Sequence, residues 1–188
     1  MLKNLKWFQR LQNIKLITIF KINIQMTIKS RSEIGLLFET VRITGFGIEV
    51  GVERGWNAIN ILKDYKGILI CVDIWEDPEI EAEFEENTKE YKDRIIKIKE
   101  TSLQASGLFD YGVFDFIHID GNHEYGWVRV DYHVWYFKIR DKGIISFHDY
   151  GDNEFEVKKF VDELNKDIKV TTDDFWEGKE YQTAYFYK

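Results

Sequence analysis

The sequence predicts an α/β fold: a doubly wound, mostly parallel sheet with helices on both faces and an antiparallel pair at its C-terminal end. Three observations carry this. Short apolar runs alternate with amphipathic stretches from Phe46 onward, the order that gives parallel strands joined by crossover helices. GILICVDIW (Gly67 to Trp75) and FDFIHID (Phe114 to Asp120) are nearly continuous apolar runs, as strands covered on both faces should be. The last two runs, DIKVTTDDF and EYQTAYFYK, are separated only by a short turn containing Gly178, too little chain for a parallel crossover.

In order, residues 1–30 carry apolar positions at both helical and alternating spacing, so helix and strand both stay open there. They are read as a basic N-terminal extension, and residues 31–188 as a single domain. Ser32 can cap a short helix through EIGLLFETVRI. FGIEVG is the first strand, VERGWNAINILKDY a helix, and GILICVDIW the second strand. EDPEIEAEFEENTKEYKD is an acidic, solvated helix with Pro78 near its first turn. RIIKIKETS is the third strand, LQASGLFDYG a short helix and turn, and FDFIHID the fourth strand. EYGWVRVDYHVWYFKI is the next helix, GIISFHD the fifth strand, and NEFEVKKFVDELNKD the last helix.

The chain has 188 residues, a net charge of -7 and one cysteine, Cys71. Cys71 lies inside an apolar run and reads as a small buried hydrophobe. No internal disulfide can form, and a reducing cytoplasm is the natural setting. Up to Ser32 there are seven basic residues and no acid, so the remainder holds 19 basic residues against 33 acidic ones, or -14. An acidic body makes nucleic acid a poor partner. No apolar run has the length of a membrane span, and no membrane partner is expected.

The polar residues sit where the strands end. Glu49, Gly51 and Gly55 form an E-x-G-x-x-x-G turn between the first strand and its helix. Small residues there let backbone approach a ligand, and the helix N-terminus offers free N–H groups. The spacing is not the G-x-G-x-x-G of a pyrophosphate cradle, and the acid suits a ligand with a cationic end. Asp73 ends the second strand about 20 residues beyond the turn, where an acid commonly takes ribose hydroxyls. Trp75 can pack against a base or lie in the core, and Thr101-Ser102 follows the third strand where a loop would border an adenine. Asp120, Asn122 and His123 follow the fourth strand, and His148-Asp149 ends the fifth. His118 shares the face of Asp120 by alternation and reads as an interior histidine. His133 reads as structural, and Trp127, Trp135, Tyr136 and Phe137 as core packing.

Together IEVGVERG, VDIWED, FDFIHIDGNHEY and GIISFHDY resemble a class I S-adenosylmethionine-dependent methyltransferase. The pattern IDGNHEY, VDYHVW, GIISFHDY is similar to the small O-methyltransferase group that includes macrocin O-methyltransferase and cephalosporin-hydroxylase-like proteins. The resemblance implies a Rossmann-like, mostly parallel seven-stranded sheet with an antiparallel C-terminal edge strand, and residues 31–188 as the methyltransferase domain. It implies that Glu49, Gly51 and Gly55 hold the methionine end of S-adenosylmethionine, that Asp73 binds the ribose, and that Trp75 and Ser102 flank the adenine. It places a divalent metal on Asp120, His148 and Asp149, where His148 stands in for a more usual carboxylate and shifts preference from magnesium towards a softer ion.

His123, with Asp120, is the catalytic candidate: its unperturbed pKa lies near working pH. The alternative is a loop histidine tied to the next helix, for instance through Asp131. The expected reaction is O-methylation of a small-molecule or sugar hydroxyl, metal-assisted. The competing readings are a metal-dependent hydrolase or hydroxylase-like enzyme using Asp120, His148 and Asp149, and a non-catalytic cofactor-binding domain. Oligomeric state and the acceptor are not legible in the sequence.

Overall fold

The computed structural model describes residues 45–176 and 179–188. The basic extension, the helix expected from Ser32 and the Gly178 turn lie outside them. Seven strands form one sheet in the order β3-β2-β1-β4-β5-β7-β6. The strands are β1 (Phe46–Val50), β2 (Ile68–Asp73), β3 (Ile95–Lys99), β4 (Phe114–Ile119), β5 (Ile139–Phe147), β6 (Lys169–Trp176) and β7 (Lys179–Tyr187). Pairings among the first five are parallel. β7 is antiparallel to both β5 and β6. The expected antiparallel element is present, but the C-terminal strand inserts between β5 and β6 and leaves β6 at the edge.

The helices are α1 (Trp56–Asp64), α2 (Pro78–Asn87), α3 (Ser102–Ser106), α4 (Tyr125–Tyr136) and α5 (Val157–Glu163). Alternation divides the strand side chains between two cores. Ile48, Ile70, Val72, Ile117 and Phe147 pack with Ala105 of α3, Val128 and Trp135 of α4, and Phe160 of α5. On the other face, Leu69, Cys71, Phe116 and Ile144 pack with Ile61 and Leu62 of α1 and Phe84 of α2. That is the doubly wound arrangement. At Gly47 a Cβ would sit 2.1 Å from the Phe116 ring, so the missing side chain makes room for that ring on β4.

Two elements begin elsewhere than the pattern predicts. α1 starts at Trp56 rather than Val52. Gly51, Glu53 and Gly55 all take positive φ (80°, 50° and 80°), and the Asp73 carboxylate takes the N–H groups of Val52 (2.8 Å) and Glu53 (2.9 Å). The chain makes a turn held by β2 before it can wind. β5 begins at Ile139, which the pattern assigns to the preceding helix. Phe137 and Lys138 are drawn off α4 because their carbonyls accept from Gly112, Val113 and Phe114 at the start of β4.

The acidic helix α2 is capped by Asp77, whose side chain accepts from Glu79 N at 2.8 Å. Its charge is partly matched: Lys97 of β3 reaches Glu81 and Glu85, and Lys99 also reaches Glu81. Among the described residues no helix is long and apolar enough to cross a membrane.

Candidate active site

The carboxyl ends of β2, β1, β4 and β5 stand side by side, and a cleft of about 1290 Å³ runs across them. Backbone bonds fix the strand ends: Gly51 N donates to Val72 O (2.9 Å), Asp120 N to Val50 O (2.8 Å) and His148 N to Ile119 O (3.0 Å). Gly51, Asp120 and His148 are each thereby tied to the end of a neighbouring strand.

β1 and β2 supply one part of the cleft wall. Glu49 is fully buried; Asn57 of α1 donates to its Oε1 at 2.7 Å, while Oε2 has no partner. Burial is the main reason its carboxyl stands well above the usual range. A buried carboxylate oxygen with nothing to accept from is costly, and Glu49 lines the cleft, so a cationic donor arriving there would satisfy it. Asp73 is not only a group facing the cleft. Its Oδ2 takes the Val52 and Glu53 N–H groups and its Oδ1 that of Trp75 (2.9 Å), stapling the glycine turn to β2. Gly51 lies in the wall, and a Cβ on it would come within 2.0 Å of Asp120 O.

Two residues expected at the ligand are elsewhere. Gly55 is buried away from the cleft, and a Cβ on it would meet Thr88 and Phe84 at 2.7 and 2.8 Å. It permits α2 to close on the turn. Trp75 is 2% exposed, packs on Phe84 at 4.7 Å and donates its indole N–H to Glu53 O at 2.8 Å. Its φ of 38° breaks the strand alternation, so Ile74, not Trp75, lines the cleft. Ser102 does line it, and its Oγ accepts from Trp135 Nε1 at 2.9 Å.

β4 and β5 supply the other part. Asp120, His123 and Asp149 converge closely enough to share one metal ion. His123 Nε2 is 3.4 Å from Asp120 Oδ1 and 3.2 Å from Asp149 Oδ2. His148 Nδ1 lies 3.4 Å from Asp120 and 3.1 Å from Asp149, so it borders the same two carboxylates. Burial alone would raise Asp120; His148, His123 and His118 overcome it and hold the carboxyl below its ordinary range. Burial would likewise lower His123, but Asp120 and Asp149 raise it. Asp149 takes φ 55°, the left-handed region that acids tolerate better than most residues.

His123 is tied to its own cluster and not to Asp131. Asn122 Oδ1 accepts from Glu124 N at 2.9 Å, closing the turn into α4. His118 is the interior histidine expected: fully buried, 2.9 Å from Ser146 Oγ on its β5 register partner, with burial pushing its pKa down to about 4. The aromatic helix is only partly core, since Trp135 is buried while Trp127 and Phe137 are exposed, and Trp127 lines the cleft. His133 is exposed on α4.

Sequence reading missed Tyr181, which stacks on His148 (5.6 Å, 27°), and Phe155, whose ring lies 4.3 Å from that of His123. Both arrive from distant segments, and no local pattern marks them.

Residues 48–150 match a family model described as a methyltransferase domain. Among solved structures, an O-methyltransferase from Bacillus cereus in complex with SAH superposes with a TM-score of 0.61 at 14% identity, covering 95% of this chain and 88% of that one. Spermidine synthase from Thermotoga maritima gives 0.61 at 13% identity, covering 80% of this chain and 56% of that one. A Corynebacterium glutamicum protein gives 0.59 at 14% identity, with 83% and 82% covered. No curated protein matches the sequence.

Proposed function

Because the chain belongs to the methyltransferase-domain family, we propose that it transfers a methyl group from S-adenosylmethionine to a hydroxyl oxygen of a small-molecule acceptor, assisted by a divalent ion. The observation that carries this is the single cleft joining Glu49 and Asp73 to the Asp120, His123, His148 and Asp149 cluster. A hydrolase using the same cluster has no use for the first part of that wall.

When bound, S-adenosylmethionine supplies an electrophilic methyl on a sulfonium; the acceptor oxygen bonds to that methyl, the sulfur keeps the electron pair of the broken bond, and the hydroxyl proton goes to a base. Glu49, with its unpartnered Oε2, holds the ammonium of the methionine end. With Oδ2 taken by two N–H groups and Oδ1 by one, Asp73 keeps one acceptor site, on Oδ1, for a ribose hydroxyl. Ser102 and Ile74 border the adenine. The acidic wall as a whole favours a ligand with net positive charge.

At the other part of the cleft, Asp120 and Asp149 would hold the ion, with His123 and His148 both beside them. Two carboxylates and imidazole nitrogen make a mixed oxygen–nitrogen donor set, better suited to a transition metal than to magnesium. An ion held there would supply Lewis acidity, making an acceptor hydroxyl easier to deprotonate. His123 serves either as a ligand or, with Asp120 accepting behind it, as the base that takes the hydroxyl proton.

The test is release of S-adenosylhomocysteine in the presence of a panel of hydroxylated small molecules, before and after chelation. Acceptor-dependent release that chelator abolishes and a divalent ion restores is the expected result. Acceptor-dependent release insensitive to chelation would remove the ion from the reading, and methyl transfer confined to nitrogen or carbon acceptors would remove the hydroxyl.

A further inference from the structure

The loop that follows β5 holds His123 at three points. Asp149, near its start, faces His123 Nε2 at 3.2 Å. Glu156 N, at its end, donates to the His123 carbonyl at 3.0 Å. The Glu156 carboxylate also accepts from Tyr125 N at 3.1 Å, which ties the loop to the start of α4. Between these two residues Phe155 lays its ring against the imidazole, with centroids 4.3 Å apart and planes tilted by 40°. Asp149 and Glu156 fix the main chain of His123 and the place of one nitrogen, but not the plane of the ring. Rotation about the last side-chain bond of a histidine is broad, and Nε2 lies close to the axis of that rotation. The ring could therefore turn while Nε2 stays beside the carboxylates. A flat face packed on it stops that turning, and Phe155 supplies one.

We propose that Phe155 is a positioning residue for His123: its ring sets the plane of the imidazole and so keeps the bonding direction of Nε2 between Asp120 and Asp149. The inference rests on the reading of His123 as a ligand or base given above. Phe155 is not there to fill the interior. It is 37% exposed and belongs to neither apolar core. Among the described residues His123 is its one aromatic neighbour. Nor does it line the cleft, so it reaches the reacting groups only through His123. A held ring presents the same edge in every molecule. A ring free to turn reaches that geometry part of the time, and a misplacement of about 1 Å costs catalysis on the order of 10²-fold.

The experiment uses the full ligand-free chain and measures carbon-13 relaxation of the imidazole C–H groups, with His123 assigned by the signal lost in His123→Gln. The wild type is expected to show a rigid His123 ring, with an order parameter of about 0.85. Phe155→Ala should bring it below about 0.6, whereas Phe155→Tyr, which keeps a flat face, should leave it as in the wild type. The fully buried ring of His118 should stay rigid in both variants. Affinity for S-adenosylhomocysteine, read by calorimetry, should stay within about twofold of wild type in both. A His123 ring that remains rigid in Phe155→Ala overturns the inference. Equal loosening of His118 overturns it too, since Phe155 would then be a general structural contact. Loss of order in Phe155→Tyr, or a larger fall in affinity in Phe155→Ala, has the same consequence. Should Phe155→Ala not fold, Phe155→Leu, which keeps apolar bulk without a flat face, is read by the same criteria. Failure of the wild type to bind S-adenosylhomocysteine would instead overturn the cofactor reading, and with it the purpose of the held ring, even where the His123 order parameters come out as expected.

Discussion

Asp73→Asn separates two roles that one carboxylate combines. The wild-type group accepts three backbone N–H bonds, from Val52, Glu53 and Trp75 at 2.8–2.9 Å. An asparagine can turn its carbonyl towards Val52 and Glu53, but its NH2 then faces the N–H of Trp75, donor against donor. Leaving one partly buried donor unsatisfied costs about 1–2 kcal/mol, the lower part of the usual range because the site is half open. For a domain of this size that lowers the melting temperature by about 2–8 °C. Ligand binding should fall further, because the carbonyl is committed to the turn and the ribose loses a charged acceptor; about 10- to 100-fold in Kd is expected. Thermal unfolding of the ligand-free protein and calorimetry with S-adenosylhomocysteine read the two effects separately. An unchanged ligand-free melting temperature beside a weakened affinity would show that the turn stands without Asp73 and that the staple is wrong.

Asp149→Asn keeps the left-handed residue tolerable at φ 55° but weakens the ion site. It should leave S-adenosylhomocysteine affinity within about twofold while cutting turnover on the order of 10²-fold or more, and an equal loss of both would contradict the division of the cleft. Ile74→Ala should weaken cofactor binding with little change in melting temperature, whereas Trp75→Ala should cost about 3–5 kcal/mol of stability; the reverse pattern in melting and titration would restore Trp75 to the ligand. Asp131 gives a pH signature. Burial raises its folded pKa to about 6, above the ordinary value of about 3.9, so the stability it contributes is fully present below about pH 4. That contribution is lost as pH rises through 6. Asp131→Asn should therefore match the wild type near pH 4 and exceed it by up to about 3 kcal/mol near pH 8, as read by denaturant unfolding across that range; a constant difference at all pH values would contradict the burial argument.

The strands were legible because buried parallel strands are written as unbroken apolar runs, and the runs ending in Glu49, Asp73, Asp120 and His148-Asp149 announced where the site would lie. What local pattern could not convey was backbone sign and long-range order. The positive φ at Trp75 exchanges it with Ile74 in the wall, and the one at Glu53 delays α1 by a turn. Nothing near Lys179–Tyr187 says that β7 will insert between β5 and β6, since that depends on pairing with Ile144–Phe147 far back in the chain. Tyr181 reaches His148 only through that insertion, and Phe155 reaches His123 because Glu156 N donates to the His123 carbonyl. Local pattern offers Asp131 only as a tie for His123, which the structure instead sets against Asp120 and Asp149; that Asp131 is itself buried depends on which face of the helix its neighbours cover, and no local pattern states it.

Calorimetric titration of the full chain with S-adenosylhomocysteine, paired with thermal unfolding, tests the central assignment most directly. Saturable one-to-one binding is expected, with stabilisation of about 2.7 kcal/mol at 100 times the dissociation constant. No heat of binding and no shift in unfolding at millimolar ligand would contradict the assignment of the cleft to S-adenosylmethionine.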